Sequence, residues 1–177
     1  VARAKGELFD GARPGDVCCI NLDDPKVRAM PLPDGVRVIG YGAHPDAEVR
    51  LTDATVDADS LETRFRIETR HGSVLGRIPS PGLHLARNAT AALAVAVALH
   101  LDPVDAARRL STYAPVGMRQ RVQQGPNGLR VINDAYNANP LSTRASVDTL
   151  AAISGSRRVA LLGDMLELGS TEDDLHT

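Results

Sequence analysis

The sequence predicts an α/β protein, and three patterns along the chain support this fold class. A strand–helix–strand order covers residues 16–42, an alternating apolar and polar stretch covers residues 47–82, and a strand–loop–helix–strand order follows residue 118. Parallel strands covered on both faces are continuously apolar, whereas antiparallel strands with one solvated face alternate. We therefore expect parallel strands, then an antiparallel meander with helices, then the start of an open α/β sheet.

The first part of the chain contains the predicted parallel strands. Residues 1–12 have the pattern of a helix that ends in the Gly- and Pro-containing stretch GARPGD. A near-continuous apolar run at residues 16–22 predicts a buried strand, and its two adjacent cysteines are expected to be core residues rather than a redox pair. A turn and short helix follow at residues 23–30, and a second strand at residues 36–42.

The middle of the chain predicts a meander followed by two helices. Phe65 and Ile67 fall on one face of a strand and the charged residues around them on the other, and the chain turns near residue 71. Residues 84–101 are rich in Ala, Val and Leu, which indicates a buried helix. Residues 103–113 begin with proline and predict a second, amphipathic helix.

Residues 114–118, APVGM, are the best candidate for a linker, because they combine proline and glycine. We therefore expect one unit at residues 1–114 and a second at residues 115–177. The elements predicted for the second unit are a hairpin that turns at residues 126–128, a strand at 128–132, a helix at 140–153 and a strand at 157–163.

Composition argues against several classes of function. The net charge is −2 and the pI about 6.2, with no basic stripe, so nucleic-acid binding is not expected. The longest apolar run, residues 89–101, is too short to span a bilayer, and no signal peptide is visible, so we expect a cytoplasmic protein. The sequence contains no G-x-x-x-x-G-K-[ST] phosphate loop, no G-x-S-x-G elbow and no Cys/His cluster with zinc spacing.

The stretch NDAYNANP, residues 133–140, places many hydrogen-bonding groups between a predicted strand and a predicted helix. Asn139 is suited to cap the helix and Pro140 to occupy its first turn. Capping leaves Asp134, Tyr136 and Asn137 unexplained, and these three are therefore candidates for a binding site.

A second polar strand end is predicted after residue 163, where Asp164 and Glu167 lie. Ligands of open α/β sheets bind beyond the carboxyl ends of the strands, so two neighbouring ends of this kind predict a polar crevice. The alternative is that Asp134 and Asp164 only cap turns, as loop aspartates often do.

Two further pairs of residues are candidates for ligand binding. His84 and Asn88 are four positions apart and share a helix face, where they either present an amide to a base-like ligand or anchor the start of the helix. Arg119 and Arg121 follow the linker and point to opposite faces of a strand. One of them could face a crevice and bind an anion, or both could be solvated surface charges.

Several of these stretches, taken in order, resemble the Mur ligase family. The most specific match is NDAYNANP followed by a helix and by LLGDMLELG at residues 161–169. It is similar to the branch that joins D-alanyl-D-alanine to a UDP-N-acetylmuramoyl-tripeptide. Residues 2–27 are similar to a stretch late in the family's central ATPase domain, and residues 81–99 resemble its Gly-x-His-x-x-x-Asn helix.

The resemblance implies the end of the central ATP-binding domain at residues 1–114 and the truncated start of a Rossmann-like C-terminal ligase domain at residues 115–177. It implies an ATP- and Mg²⁺-dependent amide-bond ligase of peptidoglycan precursor synthesis, and hence of cell-wall biogenesis, acting as a monomer. The chain lacks the family's phosphate loop and N-terminal domain, so it is expected to be a fragment without ligase activity of its own. The alternatives are a Mur or folylpolyglutamate-type ligase with another amine, and a non-catalytic nucleotide-binding module.

The resemblance also implies roles for individual residues. Lys5, one of two lysines in a chain with twenty Lys and Arg residues, falls where the family has a carbamoylated lysine that helps to hold Mg²⁺. Asn88 would contact adenine, Asp134 the ribose and Arg119 the phosphates, with Arg121 as the less favoured register. Leu85 replaces a polar residue that many relatives have. The full set of implied ATP-binding residues is His84, Asn88, Arg119, Asp134, Tyr136 and Asn137, and the dipeptide side of the loop is assigned to Asn137 and Asn139.

Overall fold

The computed structural model describes residues 2–176. Its helices and strands are α1 (Ala2–Asp10), β1 (Val17–Asn21), α2 (Pro25–Arg28), β2 (Arg37–Gly42), β3 (Val49–Val56), β4 (Thr63–Thr69), β5 (Gly72–Ile78), α3 (Leu83–Ala98), α4 (Pro103–Leu110), β6 (Arg121–Gln124), β7 (Arg130–Asn133), α5 (Pro140–Ala152) and α6 (Glu172–His176). We call β1–β5 with α1–α4 the sheet unit, and β6, β7, α5 and α6 the hairpin unit.

The sheet unit is built on five strands in the order β1-β2-β3-β4-β5. β1, β2 and β3 run parallel, whereas β3, β4 and β5 are antiparallel. Between β1 and β2, the short helix α2 begins at Pro25, and the Asp24 side chain accepts hydrogen bonds from the first backbone N–H groups of that helix. This mixed sheet confirms the predicted parallel strands followed by a meander.

Helix α3 covers one face of the sheet because its apolar residues recur at helical spacing. Leu85, Ala89, Leu93 and Val97 are each four residues apart and all are buried. They meet a sheet core that consists of Ile39, Val49, Phe65, Ile67, Val74 and Ile78. Helix α4 packs against α3 and β5. No helix within residues 2–176 has both the length and the apolar character that crossing a bilayer requires.

The hairpin unit takes its local structure from turns and caps. β6 and β7 pair antiparallel, and Asn127 occupies the left-handed region in the turn between them, with φ of 56°. Asn139 Oδ1 accepts hydrogen bonds from the N–H groups of Leu141 and Ser142, while Ser142 Oγ accepts from the Asn139 N–H. This reciprocal cap, followed by Pro140 in the first turn, confirms the capping role predicted for both residues.

The predicted strand at residues 157–163 is wrong. The segment has no strand pairing, and the Leu161 side chain is 96% exposed. An apolar run shows only that a segment can be buried, whereas a strand also needs a neighbour that pairs with its backbone groups. The residues that follow contact α6 instead of pairing with a strand. Met165 is buried, and its N–H donates to His176 Nε2 at 2.8 Å. Asp164 is exposed, and its place on the second side of the predicted crevice stays a prediction.

Candidate functional site

The two units meet at Gln120, the residue between the linker and β6. Ser80 Oγ, from the loop after β5, donates to the Gln120 carbonyl oxygen at 3.3 Å. The Gln120 N–H donates to Asp134 Oδ1 at 3.1 Å, and Ser146 Oγ of α5 donates to Asp134 Oδ2 at 2.5 Å. Both carboxylate oxygens of Asp134 thus accept hydrogen bonds, from residues 14 and 12 positions away in the sequence. Asp134 is fixed at this junction and does more than cap a turn.

His84, in the first turn of α3, faces the same junction. Its Nδ1 atom is buried and has no hydrogen-bond partner among the described residues. Burial lowers the pKa of the His84 imidazole, the Asp134 carboxylate partly offsets this, Arg87 adds to the lowering, and the Gln120 side chain opposes it. His84 and Asp134 are therefore electrostatic neighbours, and the folded structure favours the neutral form of the imidazole by lowering its pKa.

Arg119 lies beside the same loop as Asp134. Its Cζ atom is 4.0 Å from the centroid of the Tyr136 ring, a cation–π contact in which both side chains are exposed. The Tyr136 N–H also donates to the Met118 carbonyl oxygen at 3.2 Å, which ties the loop after β7 to the residues before β6. The structure thus brings Arg119 to the Asp134 loop, while Arg121 is exposed on β6.

Asn88 lies one helical turn after His84 and is exposed on α3. It borders a cavity of about 140 Å³ whose other lining residues are Ile78, Leu85, Ala89, Leu110 and Tyr113. A small apolar cavity with one amide at its edge suits a planar heteroaromatic ring, because the amide can both donate and accept a hydrogen bond. The apolar side chain of Leu85 forms part of the lining of this cavity.

The other predicted residues occupy exposed or already engaged positions. Lys5 is exposed on α1, which packs against α2. Asn137 is exposed in the loop after β7, and the Asn139 side chain is engaged as the cap of α5. Within the described part of the chain, no three His, Cys, Asp or Glu side chains converge as metal ligands do. These residues therefore do not complete a Mg²⁺ site by themselves.

A wider cavity of about 590 Å³ lies between the outer face of the meander and α4, away from the junction. Its polar lining is rich in arginine, but most of these arginines already have acidic partners. The ion pairs are Arg64–Asp57, Arg77–Glu62 and Arg108–Asp105. We interpret this cavity as a solvated charged surface.

Gln120, Ser80 and Ser146 are absent from the residues that the sequence predicts as functional. Polar residues in loops and on helix surfaces are common, and nothing in their spacing distinguishes these three. The only local signal is that Gln120 directly follows the linker and Arg119. Their importance follows from contacts between distant segments.

Two protein-family models match successive segments of the chain. The Mur ligase middle domain matches residues 1–96, and the Mur ligase, glutamate ligase domain, matches residues 118–177. The chain belongs to the Mur ligase family. The predicted family and α/β fold class are thereby confirmed. In this Mur ligase chain, the junction joins residues near the end of the first match to residues at the start of the second.

Several relatives match this Mur ligase chain along nearly its whole length. The UDP-N-acetylmuramoyl-tripeptide--D-alanyl-D-alanine ligases of Bacillus subtilis and Escherichia coli are 32% and 33% identical to it, each over 99% of the chain. The chain spans only 37% and 39% of the length of these two relatives.

Solved structures of Mur ligases also align with nearly the whole chain. The crystal structure of MurF from Acinetobacter baumannii aligns with 98% of the chain at 28% identity and a TM-score of 0.86. MurF from Thermotoga maritima, solved in complex with ADP, aligns with a TM-score of 0.84 at 22% identity and therefore supports the fold alone. The fold of this Mur ligase chain is thus shared with both structures.

The lowered pKa of His84 predicts how the stability of this Mur ligase chain depends on pH. The unfolded chain binds a proton at about pH 6.5, whereas the folded chain does so only at lower pH. The stability that neutral His84 contributes is therefore fully present above about pH 6.5 and is lost as the pH falls toward the folded pKa. We predict that the thermal midpoint, followed by circular dichroism between pH 7 and pH 5, falls less in His84→Asn than in the wild type. His71→Gln, at an exposed histidine, is the control and should keep the wild-type slope; equal slopes in all three proteins would contradict the prediction.

Proposed function

We propose that the chain is part of an ATP-dependent ligase that joins D-alanyl-D-alanine to a UDP-N-acetylmuramoyl-tripeptide in the cytoplasm. The observation that carries this proposal is that relatives with this activity in their names match 99% of the chain. The polar junction supports it, because Asp134, Arg119 and the Asn88 cavity offer groups suited to a ribose, phosphates and a base. We propose that residues 1–114 belong to the ATP-binding domain and residues 115–177 to the C-terminal ligase domain.

The proposed reaction proceeds in two steps. A carboxylate is a poor electrophile, so the terminal carboxylate oxygen of the tripeptide first attacks the γ-phosphorus of ATP, giving an acyl phosphate and ADP. The free amine of D-alanyl-D-alanine then attacks the acyl carbon. The carbon–oxygen bond to phosphate breaks, inorganic phosphate leaves, the amine loses a proton and an amide forms.

The residues of the junction would bind the nucleotide across the boundary between the units. The Asn88 amide, on α3 of the sheet unit, would hydrogen-bond to adenine. The carboxylate of Asp134, at the end of β7, would accept hydrogen bonds from the ribose hydroxyls, since each of its oxygens retains a free lone pair. The Arg119 guanidinium would pair with the phosphates. Tyr136 and Asn137 would line the same cleft, with Asn139 on the dipeptide side.

Mg²⁺ would neutralise the charge that builds up on the phosphates. Lys5 would contribute one ligand group after its amine takes up CO₂ as a carbamate, which an arginine could not do. The described residues do not complete a site around it, so the remaining ligands must come from elsewhere in the ligase. We accordingly propose that the chain alone does not catalyse ligation.

A second candidate function is the addition of L-alanine to UDP-N-acetylmuramate. UDP-N-acetylmuramate--L-alanine ligases of Rhizobium meliloti and Halorhodospira halophila are 36% and 33% identical to the chain. These matches cover only 79% and 82% of the chain, compared with 99% for the first group, and they therefore support this activity less well.

The choice of amine tests the proposed function directly. The ligase polypeptide that contains this chain is incubated with ATP, Mg²⁺ and UDP-N-acetylmuramoyl-tripeptide, and phosphate release is measured with D-alanyl-D-alanine, diaminopimelate or glutamate. A parallel reaction offers UDP-N-acetylmuramate and L-alanine. We expect release with the dipeptide only, and none from the 177-residue chain alone. Release with a single amino acid but not with the dipeptide would overturn the assignment.

The two lysines of the chain provide a matched test of the carbamate. We predict that Lys5→Ala lowers the ligation rate of the complete ligase on the order of 100-fold, as expected when support for a metal ligand is lost. Lys26→Ala, which removes the other lysine, should leave the rate within about twofold of the wild type. In ¹³C NMR with labelled CO₂, a carbamate signal should be present in the wild type and in Lys26→Ala and absent in Lys5→Ala. A signal that persists in Lys5→Ala would disprove the proposed modification.

The contact between Arg119 and Tyr136 predicts an effect on nucleotide affinity. An exposed cation–π contact is worth about 0.5–1 kcal/mol, so its loss frees the guanidinium and weakens its proposed contact with the phosphates. We predict that Tyr136→Ala raises the KM for ATP roughly two- to fivefold. Tyr136→Phe keeps the ring and should keep the KM. A similar rise in both variants would show that the hydroxyl, rather than the stacked ring, is responsible.

A further inference from the structure

Gln120 adopts a backbone conformation that glutamine rarely occupies. Its φ is 50°, in the left-handed region, and its side chain is only 7% exposed. Such a conformation persists only where the surroundings fix it. The main chain of Gln120 is held on both sides, by Ser80 at its carbonyl and by Asp134 at its N–H. The side chain, in contrast, ends in a buried Oε1 atom that has no partner among the described residues.

The two unpartnered buried atoms at the junction face one point in space. A Cβ atom built onto Gly82 would lie 2.9 Å from His84 Nδ1 and 3.0 Å from Gln120 Oε1. The φ of Gly82 is 144°, which strongly favours glycine. A side chain at position 82 would collide with the imidazole, whose Cε1 atom would lie 2.4 Å from such a Cβ, and would crowd the amide oxygen.

The chemistry of these two groups is complementary. A neutral imidazole with its proton on Nδ1 is a donor, and the amide oxygen is an acceptor, so the two atoms can form a hydrogen bond when a side-chain rotation brings them within reach. A buried donor and acceptor without partners are unfavourable, and a hydrogen bond between them removes both penalties. His84 would thus act on Gln120 rather than directly on a ligand.

Gln120 transmits this contact to Asp134. Its carbonyl accepts a hydrogen bond from Ser80 of the sheet unit, while its N–H donates to the Asp134 carboxylate of the hairpin unit. The base-binding amide of Asn88 lies one turn along the same helix as His84. The backbone of Gln120 thus connects the loop before α3 to the Asp134 carboxylate through two hydrogen bonds.

We propose that Gln120 and His84 are positioning residues, which hydrogen-bond to each other beside Gly82 and thereby hold Asp134 where its carboxylate binds the ribose of the nucleotide. This inference rests on the proposed function, because it concerns the ribose contact of the same site. It assigns to Gln120 a role that depends on its side chain, in addition to the hydrogen bonds of its backbone.

The test compares two ligands in two proteins. ATP and 2′,3′-dideoxy-ATP are titrated calorimetrically into the ligase polypeptide that contains this chain, as wild type and as Gln120→Met, which keeps the length of the side chain but removes its amide. Loss of hydroxyls that bond to a carboxylate should weaken wild-type binding on the order of tenfold. We expect this ratio to fall to about twofold or less in Gln120→Met, because a misplaced Asp134 no longer distinguishes the two ligands.

Control variants separate positioning from a general loss of stability. Gln124→Met makes the same change at an exposed glutamine and should keep the wild-type ratio. His84→Asn can place an amide near the position of Nδ1 and should also keep it, whereas His84→Leu should lose it and provides a second route if Gln120→Met does not fold. A wild-type ratio that persists in both Gln120→Met and His84→Leu would overturn this inference alone. A wild-type protein that binds both ligands equally would overturn the ribose role of Asp134, and this inference with it.

Discussion

The packing of α3 against the sheet is the contact on which the rest of the structure depends. Alanine at positions 86, 89 and 94 lets the helix approach the strands closely, while Leu93 and Val97 fill the space between them. Burial of this apolar face supplies the main favourable energy of the sheet unit. The same contact fixes the helix axis, and with it the positions of His84 and Asn88 near the start of the helix. The apolar core thus determines where two polar candidates of the site lie.

The hairpin unit depends less on apolar packing than the sheet unit does. A two-stranded hairpin with two helices, one of only five residues, buries little apolar surface, and an isolated hairpin is only marginally stable. Its buried residues, among them Thr149, Ile153 and Met165, are few. Polar contacts at Gln120 therefore contribute much of what relates this unit to the sheet unit, alongside the contact of α5 with α3. Because these are hydrogen bonds with defined directions, they fix the Asp134 carboxylate more narrowly than apolar packing would.

Much of the fold could be predicted because local rules and tertiary structure agree. The alternation around Phe65 predicts the meander, and Asn139 with Pro140 predicts the start of α5, since the residues that decide each feature are neighbours in the chain. The strand at residues 157–163 could not be predicted, because pairing depends on a partner that the segment itself does not contain. The residues of the candidate site also divide into those that local motifs predict and those that only tertiary contacts place. Asp134, Arg119 and Asn88 follow from motifs, whereas Gln120 matters only because the fold brings it to His84.

The sequence by itself determined the class of fold, the order of its elements as far as α5, the family and the residues of the polar loop after β7. These properties depend on periodicity, on capping and on short motifs, all of which are encoded locally. Only the tertiary structure decided that Asp134 accepts hydrogen bonds from Gln120 and Ser146, that Arg119 rather than Arg121 lies on the Asp134 loop, and that two buried polar atoms lie near Gly82. The physical reason is that hydrogen bonding and burial depend on distances between segments that are remote in the chain, and no local pattern specifies those distances.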